Sequence, residues 1–324
     1  MSNFWQVYNE TAIGVGFGTA GLGGNTYSVV QLALENGFRK FDTAEADWWY
    51  NQAEVGRSLQ DFYTKTGLED CIDLQISTKI PPWSLTSVSD IRRHASTSRN
   101  ELVGFCEDRQ RNQNDENDHF SPIPLDVYYI HAPRCWSGWH PKCDNPPSTL
   151  ELKDAWKAME AVAGIDHTAK RIGLSNVHPA ELLDIIHWVQ HRIEAGETYP
   201  PPRIPDVLQA YADPINTAAE LRQICEDHGI EFVSYSTLGT QHRNTDENPV
   251  LTSLVVQHLA EKHQRSVAEV VLSWALQNNM SVIPRSSKKQ HIEELARLLS
   301  SPTFLEEEDL LAMDTLSNDY VSEL

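Results

Sequence analysis

The sequence lacks any apolar run long enough to cross a bilayer, and its amino terminus lacks the basic stretch and apolar core of a secretion signal. Basic residues are also few, because 26 lysines and arginines stand against 46 aspartates and glutamates, giving a formal net charge of -20. A field of that sign repels nucleic-acid phosphates and anionic lipid surfaces. We therefore expect a cytoplasmic protein that binds neither membranes nor nucleic acid.

The five cysteines form no C-x-x-C pair, and no H-E-x-x-H or similar cluster of metal ligands occurs. Their odd number and scattered spacing are typical of reduced thiols in an intracellular protein. Cys135 and Cys143 are close enough in the chain to pair or to share a metal ion, although their loop offers no second ligand motif. We predict reduced thiols and no metal site.

What the sequence does have is a steady alternation of strand-like apolar runs and amphipathic helical patterns. Such alternation requires parallel strands joined by helical crossovers. About eight such units favour closure into a single (β/α)8 barrel, and we predict one domain over residues 1–324. The strand runs are 39–44, 73–79, 125–131, 170–176, 206–211, 232–236 and 281–285. The helical patterns are 26–37, 50–67, 87–106, 148–164, 178–196, 217–229, 266–279 and 289–301.

Two segments depart from this alternation. At the amino terminus, FWQVY, an Asn-Glu turn and TAIGVGF predict a β-hairpin or an extra strand before the barrel. Residues 107–124 are polar, acidic and bounded by prolines. We predict an exposed insertion there.

A polar residue stands at the end of each strand-like run. Because the carboxyl ends of parallel strands meet at one face of a barrel, we expect these side chains to converge where barrels carry their chemistry. Any one of them alone could be a helix cap or a satisfied polar residue inside the barrel. The set is Asp42, Lys79, His131, Ser175 with Asn176, Gln209, Tyr235 and Arg285.

The residue types in this set are those needed to reduce a carbonyl group. A buried Asp42–Lys79 ion pair can hold an ammonium beside a tyrosine hydroxyl, and we expect the cation to lower the pKa of that phenol. Such a tyrosine can donate a proton to a carbonyl oxygen while His131 orients the same oxygen. The hydride would come from a nicotinamide cofactor.

The same residues resemble the aldo-keto reductase family over nearly the whole chain. GFGTA (16–20) is similar to the glycine segment of the family's first strand, and ENGFRKFDTAEA with EVGRSL (54–59) is similar to its second-strand signature. STKI (77–80) and LDVYYIHAP (125–133) resemble its lysine and histidine strands, and RIGLSN (171–176) is close to its IG-x-SN motif. VLQAY, VSYSTLG and VIPRSS resemble the last three strands. Each motif is weak alone, but their shared order is specific.

This resemblance implies a small-molecule carbonyl substrate and a nicotinamide dinucleotide, NADPH or as the alternative NADH, lying extended over the barrel mouth. It implies that Asp42 and Lys79 form the ion pair and that His131 orients the substrate. The implied cofactor contacts are Gly18 and Thr19 in the first strand segment, Ser175, Asn176 and Gln209 at the carboxamide, Tyr235 at the nicotinamide ring, Ser236, Leu238 and Gly239 along the pyrophosphate, and Arg285, Ser286 and His291 near the adenosine ribose.

The proton-donating tyrosine is the main departure from the family pattern. The family places it five residues after the aspartate, where this chain has Asp47. The segment before Val55-Gly56 is longer by two residues, and Tyr50 is its only phenol. We predict Tyr50 as the donor, although a shift of one residue would turn it to solvent.

The adenosine end departs as well. Arg285 stands where the family usually has a lysine and can pair with a ribose 2′-phosphate, which favours NADPH over NADH. His291 stands in place of an arginine and Leu295 in place of an asparagine, and Lys288 and Lys289 could compensate.

Five tryptophans, Trp48, Trp49, Trp83, Trp136 and Trp139, fall in predicted loops after the second, third and fourth strands. They could simply be packing residues. We predict instead that these tryptophans wall a substrate pocket suited to aromatic or bulky apolar carbonyl compounds, with Trp48, Trp49, Trp83 and Trp136 as its lining residues.

Other functions stay open at this point. A regulatory module that binds NADPH with little or no turnover would need the same cofactor contacts, and a barrel hydrolase using Asp42 and His131 is a weaker alternative. The pattern is compatible with a monomer or a homodimer.

Overall fold

The structure is a computed structural model that describes residues 14–67, 71–106, 122–242 and 247–322. Eight parallel strands form one sheet in which the spatial order equals the chain order. A parallel bridge between Val15 and Val282, with a 2.8 Å hydrogen bond from Gly16 N to Val282 O, joins the last strand to the first. The predicted (β/α)8 barrel is therefore confirmed. The strands are β1 (Phe17–Gly18), β2 (Lys40–Asp42), β3 (Gln75–Ile80), β4 (Leu125–Ile130), β5 (Ala169–Ser175), β6 (Val207–Tyr211), β7 (Glu231–Tyr235) and β8 (Met280–Val282).

Helices cover the outside of the barrel, and their apolar faces pack onto the strands in one large core. The eight predicted helical patterns are all helices, and Leu254–His263, Glu307–Ser322 and the short Pro141–Asp144 are additional ones. The helices are α1 (Thr26–Glu35), α2 (Gln52–Thr66), α3 (Val88–Val103), α4 (Pro141–Asp144), α5 (Leu152–Gly164), α6 (Pro179–Glu194), α7 (Ala219–His228), α8 (Leu254–His263), α9 (Val267–Gln277), α10 (Lys289–Arg297) and α11 (Glu307–Ser322). No helix in the described ranges has the length and apolar character of a membrane span.

Local signals explain where these helices begin and end. Ser87 begins α3 by accepting a hydrogen bond from the Asp90 backbone N–H, and Ser266 begins α9 in a reciprocal capping box with Glu269. Gly67 ends α2 in the left-handed conformation that glycine adopts without strain. Most of the predicted amino-terminal hairpin lies outside the described residues. Most of the insertion predicted at 107–124 does so as well.

A tyrosine fills the barrel interior below the site. Tyr129 packs with Val127, Val207 and Val233 at the centre of the strand ring. A Cβ atom at Gly173 on the neighbouring strand would lie 2.5 Å from the Tyr129 ring. Because real side chains cannot approach so closely, only glycine at this position leaves room for the ring.

The prediction of reduced thiols is wrong for four of the five cysteines. The structure pairs Cys71 with Cys106 and Cys135 with Cys143, whereas Cys225 is a buried free thiol. Cys71 and Cys106 lie 35 residues apart in the chain, yet the fold of β3 and α3 brings their Cα atoms to 5.8 Å. That distance is set by tertiary structure, which cysteine spacing alone does not reveal.

Candidate active site

A cavity of about 990 Å³ opens at the carboxyl ends of the strands. Most of the predicted site residues line it, although they come from segments far apart in the chain. The arrangement follows from the parallel strands, because each strand end delivers its polar residue to the same face. The predicted residues that line the cavity are Gly18, Thr19, Asp42, Trp48, Trp49, Tyr50, His131, Trp136, Ser175, Asn176, Gln209, Tyr235, Ser236, Leu238, Arg285, Ser286 and His291.

Three predicted residues do not line this cavity. Lys79 is fully buried beneath it. Gly239 lies in a turn behind the wall, where its N–H donates to the Ser236 carbonyl at 2.9 Å. Trp83, predicted in the substrate pocket, is buried against the His140 ring at 4.3 Å between centroids and borders a neighbouring cavity of about 660 Å³ instead.

The Asp42–Lys79 ion pair forms the floor of the cavity. The Lys79 ammonium donates to Asp42 Oδ1 at 2.5 Å and to the Thr43 carbonyl at 2.8 Å. Gln209 Nε2 donates to the other carboxylate oxygen of Asp42 at 2.9 Å, so both oxygens are occupied. Burial lowers the pKa of Lys79 from its ordinary value, while the contact with Asp42 opposes that shift.

Tyr50 faces into the cavity. A turn places its backbone N–H on the Ala46 carbonyl at 2.9 Å, just before α2 begins. Its ring centroid lies 5.5 Å from the Lys79 ammonium and 5.8 Å from the His131 ring. Within the described ranges no group hydrogen-bonds to its hydroxyl, which leaves the hydroxyl available to a ligand.

The expected lowering of the tyrosine pKa is wrong for this structure. Burial raises the pKa of Tyr50 well above its ordinary value, and the negative charge of Asp42 adds to that rise. The charge of Arg285 acts to lower the Tyr50 pKa, but burial outweighs that effect. The phenol is therefore protonated at neutral pH, as a proton donor must be.

His131 follows β4 and is 8% exposed. Burial and the charge of Lys79 lower the pKa of His131 well below its ordinary value, so its imidazole is neutral at neutral pH. Its buried Nδ1 has no hydrogen-bond partner in the part of the chain that the structure describes. The rings of Tyr50 and Trp139, whose centroids lie 5.8 Å and 5.1 Å away, hold the imidazole by edge contacts.

A chain of polar side chains continues the floor from His131 toward β7. Asn176 Nδ2 donates to the His131 carbonyl at 2.8 Å and to Ser175 Oγ at 3.1 Å, and Tyr235 OH donates to Asn176 Oδ1 at 2.6 Å. Both the amide nitrogen and the amide oxygen of Asn176 are therefore already hydrogen-bonded to neighbouring groups. In contrast, no described residue accepts the Ser175 hydroxyl proton or donates to Gln209 Oε1. The Ser175 hydroxyl thus remains as a donor for a ligand, and Gln209 Oε1 remains as an acceptor.

The far end of the cavity is basic. Arg285 and Lys288 line it, and neither has an ion-pair partner among the described side chains. The Ser286 hydroxyl lies 3.1 Å from the Lys288 backbone N–H and 3.3 Å from His291 Nδ1. In a chain with a net charge of -20, two unpaired cations at one end of a cavity form a local site for an anionic group.

Sequence reasoning missed part of the lining. Trp139 was counted among the tryptophans of the pocket wall but not among its lining residues, although it lines the cavity and its ring contacts His131. Thr240, Gln241 and Ser287 also line the cavity. They follow β7 and β8 in loops whose path is not encoded by hydrophobic periodicity.

Comparison with known proteins agrees with this geometry. The family model described as the Aldo/keto reductase family matches residues 14–317. Similar curated proteins include a 9,11-endoperoxide prostaglandin H2 reductase of Trypanosoma cruzi, 25% identical over 95% of this chain and 88% of its own length. Glyoxal reductase of Bacillus subtilis is 28% identical over 90% of this chain and 83% of its own length.

A solved structure confirms the architecture. The aldo-keto reductase of Bombyx mori in complex with NADP superposes with a TM-score of 0.72, covering 94% of this chain and 89% of its own, at 21% identity. The fold and the cavity define a barrel oxidoreductase. The chain belongs to the aldo/keto reductase family, whose members reduce carbonyl groups with NAD(P)H.

Proposed function

We propose that this enzyme uses NADPH to reduce an aromatic or bulky apolar aldehyde or ketone to the alcohol. The observation that carries this proposal is the meeting of Tyr50 and His131 above the Asp42–Lys79 pair, at one end of a cavity whose other end is cationic. Together these residues supply a proton donor, a group that orients the carbonyl oxygen and a site for the cofactor.

The residues present fit a nicotinamide dinucleotide. The free Ser175 donor and Gln209 acceptor match the oxygen and the amino group of a carboxamide. Tyr235, whose hydroxyl is held by Asn176, offers its ring to the nicotinamide. Arg285 and Lys288 fit the 2′-phosphate that distinguishes NADPH from NADH. When bound, the cofactor supplies hydride to the carbonyl carbon.

The chain's own residues then handle the carbonyl oxygen. His131 is neutral and donates a hydrogen bond from its N–H to orient that oxygen. Tyr50 gives its hydroxyl proton to the oxygen as negative charge develops there. The Lys79 ammonium, held by Asp42, stabilises the phenolate that remains. Solvent returns the proton in the next cycle.

The aromatic walls support the proposed substrate class. Trp48, Trp49 and Trp136 are each about half exposed, at 58%, 46% and 46%, and they border the same cavity. Trp136 and Trp139 stack with centroids 4.0 Å apart. Exposed indole faces around one opening bind flat apolar compounds better than small polar ones.

A fluorescence titration followed by turnover assays tests the proposal. We expect NADPH to quench tryptophan emission at lower concentration than NADH, and substituted benzaldehydes to be reduced with higher kcat/KM than short aliphatic aldehydes. Tyr50→Phe should bind NADPH as the wild type does while kcat falls about 10²- to 10⁴-fold. Tyr27→Phe, on a surface tyrosine bonded to Asp61, is the matched control and should keep full activity.

The contrary outcomes are distinct. Undiminished turnover by Tyr50→Phe would show that another group donates the proton. NADPH binding without turnover of any carbonyl in the panel would favour a regulatory module. Absence of NADPH binding would refute the cofactor assignment.

A further inference from the structure

A disulfide closes the loop that carries one wall of the cavity. Cys135 and Cys143 lie eight residues apart and form this bond. Between them stand Trp136 and Trp139, and both line the cavity. The covalent bond therefore fixes the path of the segment that presents these two rings.

The rings in this loop reach the reacting end of the site. Trp136 and Trp139 are parallel within 5°, and Trp139 meets His131 edge-on at 87° with centroids 5.1 Å apart. Cys143 is 8% exposed and packs with Ala46, in a cluster that also contains Tyr50. The disulfide is thus part of the wall that carries the proposed proton donor and substrate-orienting group.

Without the disulfide, only noncovalent contacts would hold this arrangement. Its backbone hydrogen bonds are local, from Trp139 N to the Trp136 carbonyl and from Cys143 N to the His140 carbonyl. The helix α4 has only four residues and is too short to be stable alone. Toward the rest of the barrel, His140 stacks on Trp83 and lies 3.6 Å from the exposed carboxylate of Asp47. Trp139 also packs edge-on against Trp83 with centroids 5.3 Å apart, and the Lys142 ammonium lies 5.9 Å from the Trp83 ring centroid. Opening the disulfide would leave these few contacts to order the loop.

We propose that the Cys135–Cys143 disulfide positions the Trp136–Trp139 stack and makes the affinity for the carbonyl substrate depend on thiol redox state. This inference rests on the proposed function for its substrate. A dithiol reduces the bond by thiol–disulfide exchange: it gives two electrons and two protons, leaves two protein thiols and becomes a cyclic disulfide itself. The reduced loop samples other arrangements, so the competent fraction falls and KM rises by its inverse.

The second disulfide provides an internal contrast. Cys71 and Cys106 are 1% and 0% exposed, so dissolved thiolates do not reach them in the folded protein. Cys135 is half-buried next to the exposed residues Arg134 and Trp136. Mild treatment with dithiothreitol is therefore selective for the loop disulfide.

The test compares oxidised and reduced enzyme. After native dithiothreitol treatment, thiol alkylation and mass spectrometry should find Cys135 and Cys143 modified. We expect KM for a substituted benzaldehyde to rise about fivefold if the competent fraction falls to about a fifth. The kcat should stay within about twofold because substrate binds the ordered form of the loop, so the bound complex is the same as in the oxidised enzyme. The NADPH dissociation constant should not change, and the circular-dichroism couplet of the stacked indoles should weaken. Reoxidation should restore both KM and the couplet.

Paired variants complete the design. The double variant Cys135→Ala/Cys143→Ala should have the KM of the reduced wild type, and dithiothreitol should not change that KM. Cys71→Ala/Cys106→Ala should lose thermal stability yet keep the wild-type KM and its response to dithiothreitol.

Two results would overturn the inference. One is an unchanged KM and couplet in enzyme whose Cys135 and Cys143 are shown to be alkylated. The other is free Cys135 and Cys143 in protein purified in air without reductant. If oxidised enzyme binds NADPH but reduces no carbonyl in the panel, the proposed function fails, and the couplet still decides whether the disulfide positions the tryptophans.

Discussion

Tyr50 and His131 are both kept neutral by their surroundings, each for a different reason. Burial and Asp42 raise the pKa of the Tyr50 phenol, whereas burial and Lys79 lower the pKa of the His131 imidazole. The two groups therefore keep their protonation states across the physiological range. Each state suits its proposed role, because a neutral phenol donates a proton and a neutral imidazole donates a single hydrogen bond.

This pairing predicts the pH dependence of the reaction. The kcat/KM for carbonyl reduction should be nearly constant from about pH 6 to about pH 9, because neither group titrates between these limits. Alcohol oxidation needs the phenolate, so its rate should keep rising with pH throughout that range. Initial rates in both directions at constant ionic strength test this. A loss of reduction centred near neutral pH would contradict it.

The sequence identified most of the residues of the candidate active site but not the surroundings that set their pKa values. Asp42, Lys79, His131 and Gln209 could be placed because each ends an apolar run, and a strand end fixes direction as well as position. The loop before α2 has no such period, so only the structure shows that Tyr50 faces the cavity. The pKa direction of Tyr50 also escaped prediction, since it depends on how deeply the fold buries the phenol and how close it brings the charge of Asp42.

Among the elements, α9 and α10 are tied by one buried carboxylate. Glu269 is fully buried, and it accepts hydrogen bonds from Arg297 at 2.6 Å, Arg265 at 3.1 Å and the Ser266 backbone N–H at 2.9 Å. Although burial opposes its charge, these donors lower the pKa of Glu269 to about 2. The carboxylate thus joins the helix start of α9 to the last turn of α10.

Glu269→Gln should lower the free energy of unfolding by about 2 kcal/mol at pH 7, since hydrogen bonds to a charged group are lost. The native pKa is below the unfolded one, so this contribution is complete above about pH 4.5 and is lost as pH falls toward about 2. Urea unfolding at pH 7 and pH 3 measures the difference, which should shrink in acid. Glu308→Gln, on an exposed carboxylate beside Lys262, is the control.

The elements themselves were largely predictable. Each predicted helix is present, with ends that shift by a few residues where a cap decides the boundary, as at Ser87 for α3. Hydrophobic periodicity did not predict α8, whose pattern follows a polar stretch. It did not predict α4 either, which has only four residues. Trp83 was placed correctly after β3, but a one-turn 3-10 helix directs its ring away from the cavity.

Over the whole molecule, the negative net charge opposes binding of the proposed anionic cofactor. The net charge of -20 repels an anionic dinucleotide, so Arg285 and Lys288 must supply the local attraction. Arg285→Gln should raise the dissociation constant for NADPH about tenfold or more while that for NADH changes little, because only NADPH carries the 2′-phosphate.

Fluorescence titrations at low and high salt measure both constants. Added salt should weaken NADPH binding to the wild type more than to the variant. Arg93→Gln, which removes a surface ion pair with Asp90, is the control. Equal losses for NADPH and NADH would place the 2′-phosphate elsewhere.

The global architecture was predictable because strand–helix alternation leaves few alternatives. The Cys71–Cys106 disulfide was not, because its pairing depends on which distant segments the fold brings together. Pairing of Cys135 with Cys143 was only an alternative to the predicted reduced thiols. Oligomeric state and cellular location stay predictions.

The glycine at position 173 has a consequence for how this barrel can change over time. Tyr129 takes the volume that a methyl group at 173 would claim, and the Lys79 ammonium lies 5.8 Å from its ring centroid. The two positions on adjacent strands are therefore not free to vary independently. A lineage that gains a side chain at 173 must replace the ring at 129 by a smaller side chain and also move the Val207 carbonyl, which would lie 2.7 Å from the new Cβ atom. Replacing that ring would also change the packing beneath the Asp42–Lys79 ion pair.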